Sequence, residues 1–426
     1  MKMWKNRPSP CCPARLFLAA WGLVFLCSVA LRAQSAGGTI RGQVQDSSGG
    51  VIAGAEVRVL DSDKGIAYQT LSDSSGLYQV TVPVGRYEME VSADGFTTTK
   101  EVGIALSLGQ TWTTDFVLPV GTVRETMEVR AEMPLLDTAS GTISELVDRE
   151  RLEQLPLNGR DYGFLVLLQP GVVPNHNGAN PTPFGGRWSN FLVNGQIDQA
   201  TLFLIDGSDI NDVFAGRTPS GSSGLLLGMD AVQEFQVLLN NYRAEFGRNS
   251  GGVVHVVTRS GSNQLRGSLF EYLRNSALDA KNFFDLPDEP IPPFRRNQFG
   301  ASLGGPIRRD QTFFLLDYEG LRERKGLTSV AIVPTAGARS GAVEAVRPFL
   351  NAYPLPNERN IPAGARTASF TSSATQQTNE DFGLARVDHR LASHTTLFGR
   401  VSVQDSFAEQ PFPSTPVPGF PDEVLH

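Results

Sequence analysis

Thiols are almost missing from this sequence. Its three cysteines (Cys11, Cys12 and Cys27) all fall within the first 34 residues, so beyond that point no disulfide, thiol nucleophile or thiolate metal site can form. Histidine is nearly as rare, and none of the five (His176, His255, His389, His394, His426) stands in an H-E-x-x-H zinc motif. His389 and His394 read as strand and turn residues. His255 lies in a run of β-branched residues and receives no role. A phosphate-cradling G-x-x-x-x-G-K-[ST] loop is absent, and no G-x-S-x-G nucleophile elbow is expected. Asp206-Gly207-Ser208-Asp209-Ile210-Asn211-Asp212 has a calcium-loop look, but Ile210 occupies the fifth position, where an oxygen ligand is required; a turn is the better reading. The expectation is therefore a protein that is not an enzyme, with no catalytic residue, cofactor or metal site. Charge is sparse too, at 19% against about 25% in ordinary soluble domains.

Long hydrophobic runs are limited to one. Leu16–Leu31 is 16 residues without a charge, short of the roughly 20 that a spanning helix needs. Lys2, Lys5, Arg7 and Arg15 precede it, and the small residues Ala33, Ser35 and Ala36 follow. That order predicts a signal peptide over 1–34, with a membrane anchor as the alternative. No lipidation is expected at Cys27, because Val24-Phe25-Leu26 before it lacks the usual small residue. Residues 1–34 hold five basic and no acidic side chains, so removing them takes the net charge from −7 to −12. Nucleic acid is not an expected partner of so acidic a chain. An exported chain without disulfides must be held by a real core or by a membrane.

What the sequence has in quantity is short alternating runs punctuated by glycine. Over 38–120, Val57 and Val59 share one face, Tyr87, Met89 and Val91 share another, and Gly76, Gly85 and Gly95 mark turns. This predicts a seven-stranded Greek-key β-sandwich. Residues 138–262 read as a compact mixed α/β domain. Helical spacing is expected over Ser144–Leu155, a strand ending in a turn over each of Phe191–Gly195 and Leu202–Gly207, a β-branched strand over Gly251–Thr258, and a short helix running into a strand over Met229–Val237. From Gln264 onward the strands become amphipathic with aromatic ends. Phe314, Leu316 and Tyr318 alternate with Leu315, Asp317 and Glu319; Ala385, Val387 and Leu391 with Arg386, Asp388 and Arg390; Leu397, Val401 and Val403 with Arg400, Ser402 and Gln404. One apolar and one charged face suits a lipid-facing, lumen-lined barrel wall, and equally a half-buried soluble sheet.

Longer phrases separate these readings. GTIRGQVQDSSGGVIAGAEVRVL followed by SDSSGLYQVTVPVGRYEMEVSADGF resembles the carboxypeptidase regulatory-like domain, a transthyretin-like, carbohydrate-binding-like accessory sandwich. Then LEQLPLNGRDYGFLVLLQPGVV, FLVNGQIDQATLFLIDGSDIND, MDAVQEFQVLLNNYRAEFGRNSGGVVHVVTRSGSNQLRGSLFEYLRNSALDAKNFFD and RNQFGASLGGPIRRDQTFFLLDYEGLRER follow in order. They resemble TonB-dependent outer-membrane receptors of the Oar-like subgroup. The resemblance implies a mainly β chain: a sandwich over 38–120, a linker over 121–137, a plug over 138–262 and the beginning of a transmembrane β-barrel over 263–426. It also implies a TonB box, for which Arg124, Glu125, Thr126, Met127, Glu128 and Val129 are the candidates. The implied partners are a TonB-type energy-transducing protein, outer-membrane lipid and a ligand that is an oligosaccharide, a peptide or a metal chelate. The implied location is the outer membrane of a Gram-negative-type bacterium, with sandwich and plug on the periplasmic side. Barrels of this kind use about 22 strands, whereas the 163 residues after 263 allow about six; a truncated barrel is the expectation. A cell-surface carbohydrate- or protein-binding adhesion protein is the alternative function.

Overall fold

A computed structural model of the chain describes residues 37–121, 126–130, 141–155, 157–174, 191–211, 227–247, 249–281, 283, 290–392, 395–410 and 423–425. The expected signal segment, Arg124, Glu125 and 131–137 lie outside them. The architecture is mainly β, in three successive parts.

The first part is the sandwich. Its strands are β1 (Gly37–Asp46), β2 (Glu56–Asp61), β3 (Ala67–Leu71), β4 (Leu77–Pro83), β5 (Gly85–Ser92), β6 (Thr98–Leu106), β7 (Thr111–Thr113) and β8 (Phe116–Leu118). β4 lies antiparallel to β1 on one side; β7 and β8 lie parallel to it, opposite Thr39–Arg41 and Val44–Asp46. β7 and β8 are one strand position interrupted at Thr114-Asp115, which leaves seven positions as expected. The interruption stays satisfied: the Gln43 amide donates to Asp115 Oδ1 at 2.8 Å and the Tyr78 hydroxyl to the Thr114 carbonyl at 2.7 Å. It also explains Gly42, since a Cβ there would stand 1.6 Å from the Thr114 oxygen. Val57, Val59, Tyr87 and Met89 are fully buried and pack with Trp112 and Phe116, so the period-2 reading of this region holds at the level of single side chains.

The second sheet of the sandwich runs β3-β2-β5-β6 and gains β9 (Thr126–Arg130) at its end. β9 pairs in parallel with β6, from Thr98 opposite Thr126 to Val102 opposite Arg130. Five residues of the segment read as a linker are thus part of the sandwich sheet. The run Thr-Met-Glu-Val-Arg contains neither proline nor glycine to forbid pairing.

The second part contains β10 (Ile143–Val147), α1 (Arg149–Gln154), α2 (Gly163–Val166), β11 (Val172–Pro174), β12 (Phe191–Val193), β13 (Leu202–Ile205), β14 (Ser208–Asp209), β15 (Val232–Asn240) and β16 (Val253–Thr258). Its sheet has the order β10-β15-β16-β13-β14, and β11 pairs with β12. The helical spacing expected over Ser144–Leu155 is half right. Asp148 caps the helix by accepting from the Arg151 amide at 2.8 Å, and everything before it is strand β10, antiparallel to β15. Tyr162, Phe203, Phe235 and Val254 lie in the core of this part.

The third part is one sheet in simple sequence order: β17 (Arg266–Asn275), β18 (Phe294–Arg308), β19 (Thr312–Pro334), β20 (Thr367–Ala392), β21 (Thr395–Gln410) and β22 (Glu423–Leu425), each antiparallel to the next. β17 and β22 are its two edges. The connections at 309–311 and 393–394 are short. Those at 276–293 and 335–366 are long, and the second carries α3 (Ala336–Ser340) and α4 (Arg347–Asn351). Short turns at one end and long loops at the other is the pattern of an outer-membrane barrel wall.

The burial pattern of this sheet separates the two readings of its amphipathicity. Asp317, Glu319, Glu323, Glu380 and Asp388 are buried, whereas Leu316, Tyr318, Val387, Val401 and Val403 are exposed. A soluble sheet turns its charges to water; here they turn inward, onto the second part. Leu315, Phe382 and Leu384 of the inner face join that part's own core. The six strands are the wall of a β-barrel, and the mixed α/β part is a plug seated against it.

Candidate functional site

The plug is fastened to the wall by two clusters of buried charge. The first centres on Asp206, in the hairpin between β13 and β14. Asp206 has φ of 49° and Gly207 of 81°, left-handed values that asparagine, aspartate and glycine adopt most readily at a two-residue turn. The turn aims the carboxylate back across the sheet. Its Oδ1 accepts from the Thr258 amide at 2.9 Å and its Oδ2 from the Thr258 hydroxyl at 2.7 Å. From the wall, Arg386 Nη1 lies 3.3 Å from Oδ1 and Arg400 Nη1 3.5 Å from Oδ2. Arg386 also donates to the Thr258 hydroxyl at 2.6 Å and to its carbonyl at 3.2 Å. Asp388 on the same strand takes the Arg386 Nη2 at 2.9 Å and Nε at 3.0 Å, and the guanidinium lies 4.5 Å from the Phe398 ring centroid. The calcium-like aspartate is thus committed to hydroxyl, amide and guanidinium donors.

The second cluster centres on Asp230, just before β15. It is shared by Arg149 Nη2 at 3.3 Å, Arg160 Nη2 at 3.1 Å and the hydroxyl of Ser268 on β17 at 3.2 Å. Arg160 reaches the wall in two further ways: its Nε lies 3.6 Å from Glu319 Oε1, and its guanidinium stacks 3.8 Å from the centroid of Phe270. Gln298 on β18 donates to the Gly159 carbonyl at 3.1 Å. Gly228 lets plug and wall approach, since a Cβ there would meet Asp317 Oδ2 at 2.7 Å. Removing one member of such a network strands a buried charge, so each cluster is a latch between plug and wall whose members depend on one another.

The sandwich touches both other parts at the short-turn end of the wall. The Asn263 amide donates to the Asp63 carbonyl at 2.9 Å, and Asn263 and Asp310 exchange bonds at 2.7 and 2.9 Å across the β18–β19 turn. On the plug side, Glu234 accepts from the Leu108 amide. Burial pushes the Glu234 carboxyl up to about 7. A raised acid favours the folded state at low pH and loses that contribution as pH rises through about 7.

His255 on β16 has a structural role. Its Nε2 accepts from the Gly207 amide at 3.1 Å, which fixes the turn that holds Asp206. Burial pushes the imidazole down from 6.5 to about 4, against the pull of the Asp206 charge. Protonation would both bury a charge and abolish the acceptor.

Of the candidate docking residues, Thr126, Met127, Glu128 and Val129 lie together on β9. The latch residues escaped the sequence reading, because single arginines and aspartates on different strands carry no spacing signal. The expectation of no G-x-S-x-G is corrected at the level of the residues, because Gly300-Ala301-Ser302-Leu303-Gly304 spells that pattern. A nucleophile elbow requires a strand-to-helix turn. Ser302 instead sits inside β18, bonded to the Ser268 hydroxyl at 2.7 Å.

Comparison with known proteins agrees with this geometry. Residues 39–119 match the carboxypeptidase regulatory-like domain, and 257–348 with 344–425 match an outer membrane beta barrel domain. The chain is 25% identical over 349 residues to the TonB-dependent transporter Oar of Myxococcus xanthus, covering 78% of this chain and 31% of that one. It is 26% identical over 202 residues to the probable TonB-dependent siderophore receptor PirA of Acinetobacter baumannii, covering 44% of this chain and 25% of that one. Against the crystal structure of PirA the TM-score is 0.38, at 19% identity, over 63% of this chain and 32% of that one. The chain thus spans about a third or less of the length of these relatives. The match to the barrel family places the chain in the outer membrane.

Two outcomes follow. Asp206→Ala should cost about 3–5 kcal/mol, since it leaves two guanidinium groups in a buried site without their shared counter-charge. Arg386→Met should cost much less in that background than alone; urea unfolding of the chain in detergent micelles measures both, and additive losses would refute the latch. The His255 contribution to stability should fall as pH drops from 6.5 towards 4, because the unfolded chain takes the His255 proton first, at a limiting slope of about 1.4 kcal/mol per pH unit; Glu234 acts in the opposite sense over the same range. The stability difference between the chain and its His255→Gln variant isolates this contribution: it should shift against the unsubstituted chain as pH drops from 6.5 to 4, and a difference independent of pH would refute it.

Proposed function

We propose that this chain, which belongs to the TonB-dependent outer-membrane receptors, is the part of an energised importer that converts a periplasmic pull into movement of a plug. The observation that carries the reading is the pair of charge latches between plug and wall, with an extended strand lying ahead of the plug in the chain. The outer membrane holds neither nucleotide nor a sustained potential, so work on the plug must come from a partner in the periplasm. The short-turn end, where the sandwich sits, is the periplasmic side, and the long connections at 276–293 and 335–366 face outward, where a ligand arrives.

Docking is assigned to residues Arg124–Val129, which act as a TonB box. A partner strand can pair with an extended segment through main-chain hydrogen bonds. The cargo belongs to the classes that such receptors take up: oligosaccharide, peptide or metal chelate. A metal chelate has the support of PirA, a relative named as a siderophore receptor. Closure of the barrel requires further strands between β22 and β17, because an open edge in lipid leaves backbone groups unsatisfied.

The test is Met127→Pro in the full-length receptor. Proline removes a backbone donor and fixes φ. Cross-linking to TonB and uptake should be abolished, while barrel assembly and ligand binding persist. Uptake that survives this change moves the docking strand elsewhere.

A further inference from the structure

We propose that the sandwich is the presenting platform of the docking strand: it holds β9 as a ready-made sheet edge, and the TonB-type partner adds its own strand to that edge without displacing β9 from β6. The inference rests on the assignment of Arg124–Val129 as the docking segment and adds how that segment is displayed.

Three observations carry it. First, four of the six docking residues are already in strand conformation, in five consecutive parallel pairs with β6 and without a bulge. The neighbouring β5–β6 pairing, by contrast, shifts register between Tyr87 and Met89. Second, β9 is the last strand of its sheet, and among the described residues no strand pairs with its far side. Third, nothing in the strand itself forbids a second pairing: Thr126–Arg130 contains no proline or glycine and its pairing with β6 shows no bulge.

The physical gain is preorganisation. A free segment must lose its backbone entropy when the partner binds, whereas an edge strand has already lost it. β6 occupies one row of β9 donors and acceptors and leaves the other row to the partner. The platform also stands where a periplasmic partner can reach it, because Asp63 and Asn263 tie the sandwich to the short-turn end of the wall. Force on β9 then passes along the covalent chain towards the plug while β6 keeps the strand extended.

A disulfide lock tests this. Lys100 and Glu128 are partners across the β6–β9 pair, a relation that brings two Cα atoms within disulfide reach. With signal cysteines removed, Lys100→Cys with Glu128→Cys gives one thiol pair in the whole chain. Lys100 also forms an ion pair with Glu88 at 2.7 Å, a partly exposed contact of small worth. The oxidised and reduced forms of the full chain in detergent are titrated with the purified periplasmic domain of a TonB-type protein. Spontaneous closure of the disulfide, with affinity of the two forms equal within about twofold, is the expected result. A locked form that binds more than about tenfold more weakly than the reduced form shows that β9 must leave β6, and overturns the platform. Failure of the disulfide to close under oxidation overturns it as well. Introducing Met127→Pro into the reduced form is the control on the underlying assignment. If it leaves binding unchanged, the docking segment itself is elsewhere and both readings fall. If it abolishes binding while the lock also abolishes it, only the platform falls.

Discussion

Everything in the lower half of this chain depends on where the charges of the wall strands can go. Asp317, Glu319, Glu323, Glu380 and Asp388 lie on one face of strands whose other face is leucine, valine and tyrosine. Lipid accepts only the apolar face, so the charged face must be covered and its groups must find partners. The plug supplies the cover and part of the partnering, with Arg160 beside Glu319, while Asp388, Glu323 and Glu380 are met within the wall by Arg386, Arg296 and Gln404. Asp206 and Asp230 meet wall residues directly, and Arg160 bridges from Asp230 to Glu319 and Phe270. Conversely the plug needs the wall, because Leu315, Phe382 and Leu384 complete its core. Neither part has a satisfactory surface alone.

This mutual dependence bears on how the plug is held. A plug held by apolar contact alone would resist force gradually. Latches built from shared carboxylates lose their network energy together once one member moves, because each remaining charge is then uncompensated. His255 and the Asp206–Gly207 turn set the geometry of one latch, so a group with no chemistry of its own still governs how the plug is held.

Much of the architecture was legible in the sequence, for reasons that differ by part. The sandwich was read down to single side chains, since Val57, Val59, Tyr87 and Met89 obey a period of two with glycine turns between. The wall strands were visible as amphipathic runs, but which face turned outward was not, because alternation is symmetric between lipid-facing and soluble sheets; burial of Asp317 beside exposed Leu316 and Tyr318 broke the tie. Ile143–Val147 misled because Leu146 and Val147 fit helical spacing, and pairing with β15 overrode it. Thr126–Arg130 read as an extended linker, and only the unfilled edge of β6 drew it into a sheet. The latches were illegible: Asp206 and Arg386 are 180 residues apart, and only the fold brings them together.

The central claim is that the wall turns its apolar face to lipid and its charged face to the plug. Spin labels placed singly at Leu316, Val401, Val403 and Gln404, in the full-length receptor in bilayers, test it most directly. Labels at Leu316, Val401 and Val403 should relax strongly with dissolved oxygen and weakly with a water-soluble nickel chelate. The label at Gln404, whose side chain donates to Glu380 at 2.6 Å on the inner face, should be shielded from oxygen. Equal access of the nickel chelate to Val401, Val403 and Leu316 would show a sheet bathed in water and would contradict the account.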